Sequence, residues 1–208
     1  MNYFNTKINR KVLEFKNEIQ NLKIIERDIP LNSAIFFEEL CESLPTIKGL
    51  VDYSNAENNI LQLFEDKVSI KIKKNPFFNL WIKDMSKLCQ LFSKLLEENT
   101  VFFCIGTKRG CKRYHVDMVP FRLLVTYAGQ GTELLPNHAA DREAFFKGKS
   151  NKFIVKDKSK IKHIKNWDIA LFRGGKKGIL HRTPDSALEN RTSILMKIDS
   201  SSFLEQMI

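Results

Sequence analysis

An imidazole and a carboxylate lie two residues apart in the segment Arg113-Tyr-His-Val-Asp117. In a β-strand alternate side chains share a face, so His115 and Asp117 would point the same way, about 7 Å apart along the backbone. Both could then reach one ion. A third ligand would have to come from a strand distant in sequence, and His181, which follows Ile179-Leu180, suits that role. These three residues predict a metal site, although His115 and Asp117 by themselves could equally form a surface hydrogen-bonded pair.

A second pair of polar residues follows His181. Arg191 and Ser193 are again two apart, at the start of a segment with strand-like composition. On one face of a strand they could hold a carboxylate, with the guanidinium acting as a bidentate fork. Arg191 could instead pair with a buried acid such as Glu133. Two His and one carboxylate that leave positions on an ion open form the ligand set of non-haem Fe(II) oxygenases.

The strand predicted after Asp117 offers two further candidates. Arg122 or Tyr127 could meet a second carboxylate of a ligand bound beside the ion. Side chains alternate between the faces of a regular strand, so at most one of the two can point towards the metal. Cys111 lies four residues before His115 and could also approach the ion, but a free Cys more often serves as a small buried hydrophobe.

Together these motifs resemble those of the 2-oxoglutarate-dependent Fe(II) dioxygenases. With the further segments Thr126–Glu133 and Trp167–Gly174, their order is similar to that of the bacterial DUF1826 family, over about residues 75 to 200. The resemblance implies a double-stranded β-helix. It also implies Fe(II) held by His115, Asp117 and His181, a distal 2-oxoglutarate carboxylate bound by Arg191 and Ser193, and O₂ as co-substrate.

The rest of the chain predicts a scaffold of mixed class. Before residue 100, apolar positions recur mainly at helical spacing, most clearly in the helix that begins at Asn75-Pro76. After it, short apolar runs are separated by Gly, Pro and Asn, as in sandwiches and barrels. We therefore expect an α+β protein with a mainly β core, a cupin-like jelly roll, and N-terminal helices packed outside.

Residues 1–74 would form the helical extension and 75–208 the metal-binding domain, in one cooperative unit. Candidate strands lie at 101–106, 114–118, 121–127, 153–156, 161–164, 168–173, 178–182 and 191–198, with an earlier one at 68–72.

Charge and hydropathy bear on partners and location. The formal charge is +10, from 34 Lys and Arg against 24 Asp and Glu, but the Lys residues are scattered and the chain is also rich in Asn, Ile and Phe. Nucleic acid is a possible partner that this pattern does not favour. No apolar run reaches the length of a membrane span, and the N-terminus lacks an apolar leader. We expect a soluble, cytoplasmic protein that does not bind membranes.

Two functions of different class remain open from the sequence. The first is an Fe(II)/2-oxoglutarate-dependent oxygenase of the hydroxylase type, acting on an unidentified substrate, with Zn or Ni as possible substitute metals. The second is a non-catalytic metal-binding protein on the same fold, for example in zinc homeostasis or sensing, since His and carboxylate also bind Zn(II). Arg191 with Ser193 discriminates between them, because a metal store needs no carboxylate clamp.

Overall fold

A computed structural model describes residues 6–189 and 193–202 of the 208-residue chain. In these ranges nine strands form two antiparallel sheets, and helices cover them. The helices are α1 Thr6–Glu14, α2 Ser33–Ser43, α3 Ala56–Phe64, α4 Ile70–Lys74, α5 Pro76–Leu96, α6 Arg142–Phe146, α7 Asn151–Ile154 and α8 Asp185–Glu189. The strands are β1 Leu22–Ile25, β2 Ile47–Asp52, β3 Thr100–Gly106, β4 Phe121–Ala128, β5 Glu133–Leu135, β6 Lys162–His163, β7 Ile169–Arg173, β8 Leu180–Arg182 and β9 Ile194–Ser200.

The larger sheet has six strands in the order β1-β7-β4-β9-β3-β2, and the smaller has three in the order β6-β5-β8. An isolated antiparallel bridge between His115 and His181 adds one more segment beside β8. Consecutive neighbours in the larger sheet are far apart in sequence. The bridge to β8 brings the segment around residue 115 and the segment around residue 181 together. The expected mixed architecture with a β core is confirmed. The core is antiparallel, and within the described residues its two sheets do not close into a barrel.

Alternation along β4 separates the two faces of the larger sheet. Leu123, Val125 and Tyr127 enter the main core, where they meet the apolar sides of the helices. Leu124 points the other way and packs against Leu134 of the smaller sheet. A third cluster covers the far side of the smaller sheet. The order of layers is thus helices, larger sheet, smaller sheet and the covering segment that contains α6 and α7.

Helix α5 is the main support of the outer face. The side chain of Asn75 accepts a hydrogen bond from the backbone N–H of Phe77, and Pro76 occupies the first helical position, as predicted. Its apolar stripe is buried, including Trp81 and Phe92. Glu97 ends the helix in the left-handed conformation, with φ 61°. No helix in the described ranges is long and apolar enough to cross a membrane.

Several strand predictions are confirmed, notably those that became β3, β4 and β7. The strand predicted at 68–72 is wrong: Ser69 caps the short helix α4 by accepting from the N–H of Ile72. The strand predicted at 153–156 is largely wrong, because α7 occupies its first half and only an isolated bridge remains at Val155. The segment 114–118 contributes the single bridge at His115.

The predicted N-terminal extension contains more than helices. Strands β1 and β2, both before residue 74, form the two edges of the larger sheet. β2 pairs with β3 over six residues, from Ile47 opposite Ile105 to Asp52 opposite Thr100. β1 pairs with β7 over four. The division at residue 74 into an extension and a core stays a prediction, and these pairings join the two parts into one sheet.

Candidate metal centre and adjoining cleft

His115, Asp117 and His181 meet at one end of the space between the two sheets. One potential ligand atom from each lies within 4.8 Å of the others. His181 Nε2 is 3.6 Å from Asp117 Oδ2, and the two imidazole centroids are 4.3 Å apart. The structure therefore brings the three sequence-predicted ligands together. They are the one such group of three or more His, Cys, Asp or Glu residues in the part of the chain that the structure describes.

Backbone hydrogen bonds fix the separation of the two histidines. The N–H of His115 donates to the carbonyl of His181, and the N–H of His181 donates to the carbonyl of His115, each at 3.0 Å. This reciprocal pair is the closely spaced type found between antiparallel strands. The distal His is thus positioned by pairing with the segment that carries the first two ligands.

Both imidazoles also have a defined tautomer. His115 Nδ1 lies 3.2 Å from the carbonyl oxygen of Arg113, and His181 Nδ1 lies 3.1 Å from that of Ile179. A carbonyl can only accept, so each Nδ1 carries the proton and donates, which leaves each Nε2 lone pair available. Burial also lowers the pKa of His181 to about 4. Its ring is therefore neutral at pH 7, as a metal ligand must be.

Asp117 is buried, and its two carboxylate oxygens differ in their contacts. Oδ1 accepts a hydrogen bond from Arg122 Nη1. Oδ2, which faces His181, has no hydrogen-bond partner among the residues described. Buried polar atoms are nearly always satisfied, so such an atom requires an explanation. A cation bound between Asp117 and the two imidazoles would provide one, and the donor set of two nitrogens and one oxygen fits Fe(II) or Zn(II).

Arg122 binds the Asp117 carboxylate as part of a buried ionic group. Its Nε and Nη2 bind the two oxygens of Asp199, at 2.7 and 2.9 Å, while Nη1 binds Asp117. Lys197 approaches Asp199 at 3.5 Å. The prediction placed Arg122 against a cofactor carboxylate. It does line the cleft, but its guanidinium already has two protein carboxylates as partners.

Tyr127, the other candidate on β4, does not line the cleft. Its side chain points into the main core, and its hydroxyl donates to Asp84 Oδ2 at 2.7 Å. Asp84 is also bound by Arg27. The prediction that Tyr127 binds the cofactor does not fit this placement. The alternation argument, which allowed only one of Arg122 and Tyr127 to face the metal, agrees with what the structure shows.

Of the predicted carboxylate clamp, Arg191 lies outside the described residues and Ser193 lies within them. Ser193 is fully buried. The alternative for Arg191 was an ion pair with Glu133. In the structure both carboxylate oxygens of Glu133 already accept hydrogen bonds from Arg182, at 2.8 and 2.9 Å. Arg182, the neighbour of His181 in sequence, thus forms a structural salt bridge with Glu133.

Sequence reasoning did not identify a role for Arg109. This residue lies in the connection between β3 and β4 and lines the same cleft as His115 and His181. It donates from Nη1 to Ser193 Oγ at 2.8 Å and from Nη2 to Thr132 Oγ1 at 3.2 Å. The connection has no regular period, so only the proximity of Lys108-Arg109 to the His115 motif could have drawn attention to it.

The cleft between the sheets has a volume of about 210 Å³. His115, His181, Arg109 and Arg122 line it, together with Cys111. A hydrogen bond between Cys111 and His115 lowers the pKa of the Cys111 thiol. Cys111 is therefore close to the site, but exposed rather than a buried structural residue. The space is suited to a small polar molecule bound beside an ion.

Comparison with solved structures finds two dioxygenases among those similar to this chain. One is a dioxygenase for auxin oxidation from rice, with 7% identity, a TM-score of 0.47, and coverage of 95% of this chain and 79% of that one. The other is the Fe(II)/α-ketoglutarate-dependent dioxygenase TqaL, with 8% identity, a TM-score of 0.45, and coverage of 95% and 90%. No curated protein matches the sequence. A family model described as "Protein of unknown function (DUF1826)" matches residues 10–199, and the chain therefore belongs to the DUF1826 family.

Proposed function

We propose that this protein is an Fe(II)/2-oxoglutarate-dependent oxygenase with a double-stranded β-helix core. The observation that carries the proposal is the arrangement around Asp117: its buried oxygen Oδ2 has no partner among the described residues, and two imidazoles offer ligand atoms within 4.8 Å of the carboxylate. Two His and one carboxylate leave the remaining positions of an octahedral ion open. The cleft beside them provides space for a co-substrate.

The residues of this chain would have separate roles. His115, Asp117 and His181 would hold the ion, and Arg122 orients the Asp117 carboxylate by binding its other oxygen. Phe172 packs against the His181 ring at 4.7 Å between centroids and excludes water from that side. When bound, Fe(II) would supply the O₂ activation that couples decarboxylation of 2-oxoglutarate to succinate with oxidation of a substrate.

The cationic lining of the cleft favours 2-oxoglutarate over a metal-only function. A store or sensor of metal ions needs the three ligands but gains nothing from Arg109 and a buried Ser193 beside them. A dicarboxylate that chelates the ion through its 2-oxo acid end would present its second carboxylate to such groups. Non-catalytic metal binding is the function that remains if 2-oxoglutarate does not bind.

The test is an anaerobic titration of metal-free protein, first with Fe(II) and then with 2-oxoglutarate. A weak visible charge-transfer band reports the bidentate chelate. We expect the band in the wild-type protein and its loss in His181→Ala; Arg191→Ala tests the predicted clamp in the same assay. Binding of Fe(II) with no band at saturating 2-oxoglutarate would contradict the oxygenase proposal and leave a metal-binding protein.

A further inference from the structure

Three arginines line the cleft, and two of them are paired with carboxylates among the described residues. Arg122 is paired with Asp117 and Asp199, and Arg182 binds Glu133 and Asp185. Arg109 has only hydroxyl partners among the described residues, Ser193 and Thr132. Burial lowers the pKa of Arg109 to about 10, yet the group is still charged at pH 7. A partly buried cation without a carboxylate beside it is costly unless a ligand supplies the negative charge.

The two hydroxyls hold the guanidinium in one orientation. Ser193 Oγ accepts from Arg109 and donates to the carbonyl of Gln130 at 3.2 Å, so its own proton is committed. Ser193 and Thr132 are both almost completely buried. Their two bonds use only part of the donor set of a guanidinium, and the remaining N–H groups are available to an anion in the cleft. The cleft lining includes both Arg109 and Thr132.

We infer that Arg109 binds the distal carboxylate of 2-oxoglutarate, with Ser193 and Thr132 holding its guanidinium in place. The inference rests on the proposed function and assigns the anchoring charge to the connection between β3 and β4. A carboxylate suits this position because the guanidinium offers paired donors in a plane. Ser193, which the sequence placed in direct contact with the cofactor, then acts as a positioning residue through Arg109.

The experiment compares 2-oxoglutarate with 2-oxopentanoate, which has the same carbon chain and a methyl group in place of the distal carboxylate. Dissociation constants for both are measured anaerobically on the Fe(II)-loaded full-length protein, from the charge-transfer band. The variants are Arg109→Gln, Arg109→Lys and Arg191→Gln. Lys108→Gln is the matched control, since it removes a charge from the adjacent, exposed position that lines the same cleft.

In the wild type we expect 2-oxoglutarate to bind more tightly than 2-oxopentanoate. Arg109→Gln should weaken 2-oxoglutarate roughly 10- to 100-fold, as expected for loss of charge-assisted hydrogen bonds, and abolish the preference. Its affinity for 2-oxopentanoate should change little, which also shows that the variant still folds and chelates. Arg109→Lys should keep part of the preference, and Lys108→Gln nearly all of it, because exposed charges contribute little.

Two results would overturn the inference, and they differ in what they leave standing. If Arg109→Gln keeps the full preference while Arg191→Gln loses it, the anchor is Arg191 and the proposed oxygenase survives. If the Fe(II)-loaded wild type binds neither acid, the proposed function fails and the inference fails with it.

Discussion

At the scale of single residues, the site depends on one arginine that joins two buried carboxylates. Arg122 binds Asp117 and Asp199, and both of these acids are almost fully buried. Removal of the shared cation would leave two negative charges in an environment that solvates them poorly. The Asp117 carboxylate is thus oriented and stabilised by a group that lies outside the set of candidate ligands.

Replacement Arg122→Met should lower the free energy of unfolding of metal-free protein by about 3–5 kcal/mol, the cost of a broken buried pair. Lys197→Met is the matched control. This variant removes a more exposed cation that contacts the same Asp199, and it should lower the free energy of unfolding by about 1 kcal/mol or less. Urea denaturation followed by circular dichroism measures both. Equal losses in the two variants would show that Arg122 has no special role.

The burial of His181 predicts a dependence of stability on pH. An unfolded His has a pKa near 6.5, and burial lowers that of His181 to about 4. Between these values the unfolded chain takes up a proton that the folded protein excludes, so the stability of metal-free protein should fall as pH drops from about 6.5 to about 4.

The contribution of His181 to this pH dependence is measured as the difference in free energy of unfolding between wild type and His181→Asn, from urea denaturation across that pH range. We expect the wild type to lose more stability than the variant as the solution is acidified. His138→Asn is the control, because that side chain is exposed. Parallel curves for wild type and His181→Asn would contradict the prediction.

The residues of the candidate site were predictable to different degrees. His115 and Asp117 could be recognised because their spacing is local, and His181 because it follows an apolar run. Arg109 could not, since its role arises from two hydroxyls at residues 132 and 193 that only the folded chain brings near it. Tyr127 was wrongly predicted to line the cleft. The sequence shows that side chains of β4 alternate between two faces, but it does not show which face meets the smaller sheet.

At the scale of elements, the turn after β7 positions the segment that carries Asp117. The N–H of Gly175 donates to the carbonyl of Asp117 at 2.7 Å, and that of Gly174 to the carbonyl of Pro120 at 3.1 Å. A Cβ added at Gly174 would lie 2.0 Å from the carbonyl oxygen of Val119 and 2.6 Å from that of Asp117. Only glycine permits this close approach of two backbones.

Replacement Gly174→Ala should therefore displace the segment around Asp117. We expect a loss of about 1–3 kcal/mol in stability and weaker binding of Co(II), used as a probe ion, by isothermal titration calorimetry. Gly110→Ala is the control for stability, because a Cβ there meets nothing within 4 Å. A variant with wild-type stability and affinity would show that the turn does not position the ligand.

Elements with strong local signals were predictable, and those defined by long-range pairing were not. Helix α5 has a cap, a proline and a continuous apolar stripe. The edge strands β1 and β2 and the short β5 become strands by pairing with distant partners. Residues 68–72 alternate in hydropathy as a strand does, but Ser69 caps the short helix α4, which begins at Ile70.

At the scale of the whole molecule, the larger sheet needs the first 74 residues. They supply both its edge strands and much of the apolar layer over its outer face, including Phe36, Phe37 and Phe64. Without them, β3 and β7 would become exposed edges and the outer face would lose its cover. Exposed edges of this kind template aggregation.

A fragment of residues 75–208 should therefore fail to form a stable monomer. Size-exclusion chromatography and near-ultraviolet circular dichroism should show aggregation or loss of fixed aromatic packing, with the full chain as reference. A monomeric fragment that unfolds cooperatively would support the domain boundary at residue 74 and contradict the view that the strands bind the two parts into one folding unit.

The reciprocal hydrogen bonds between His115 and His181 have a consequence for ion selection. Because the backbone holds the two imidazoles at a set spacing before any ion arrives, little chain reorganisation accompanies binding or release. The candidate site would then discriminate between metal ions by their radius and preferred coordination geometry, because the chain would not rearrange to fit each ion.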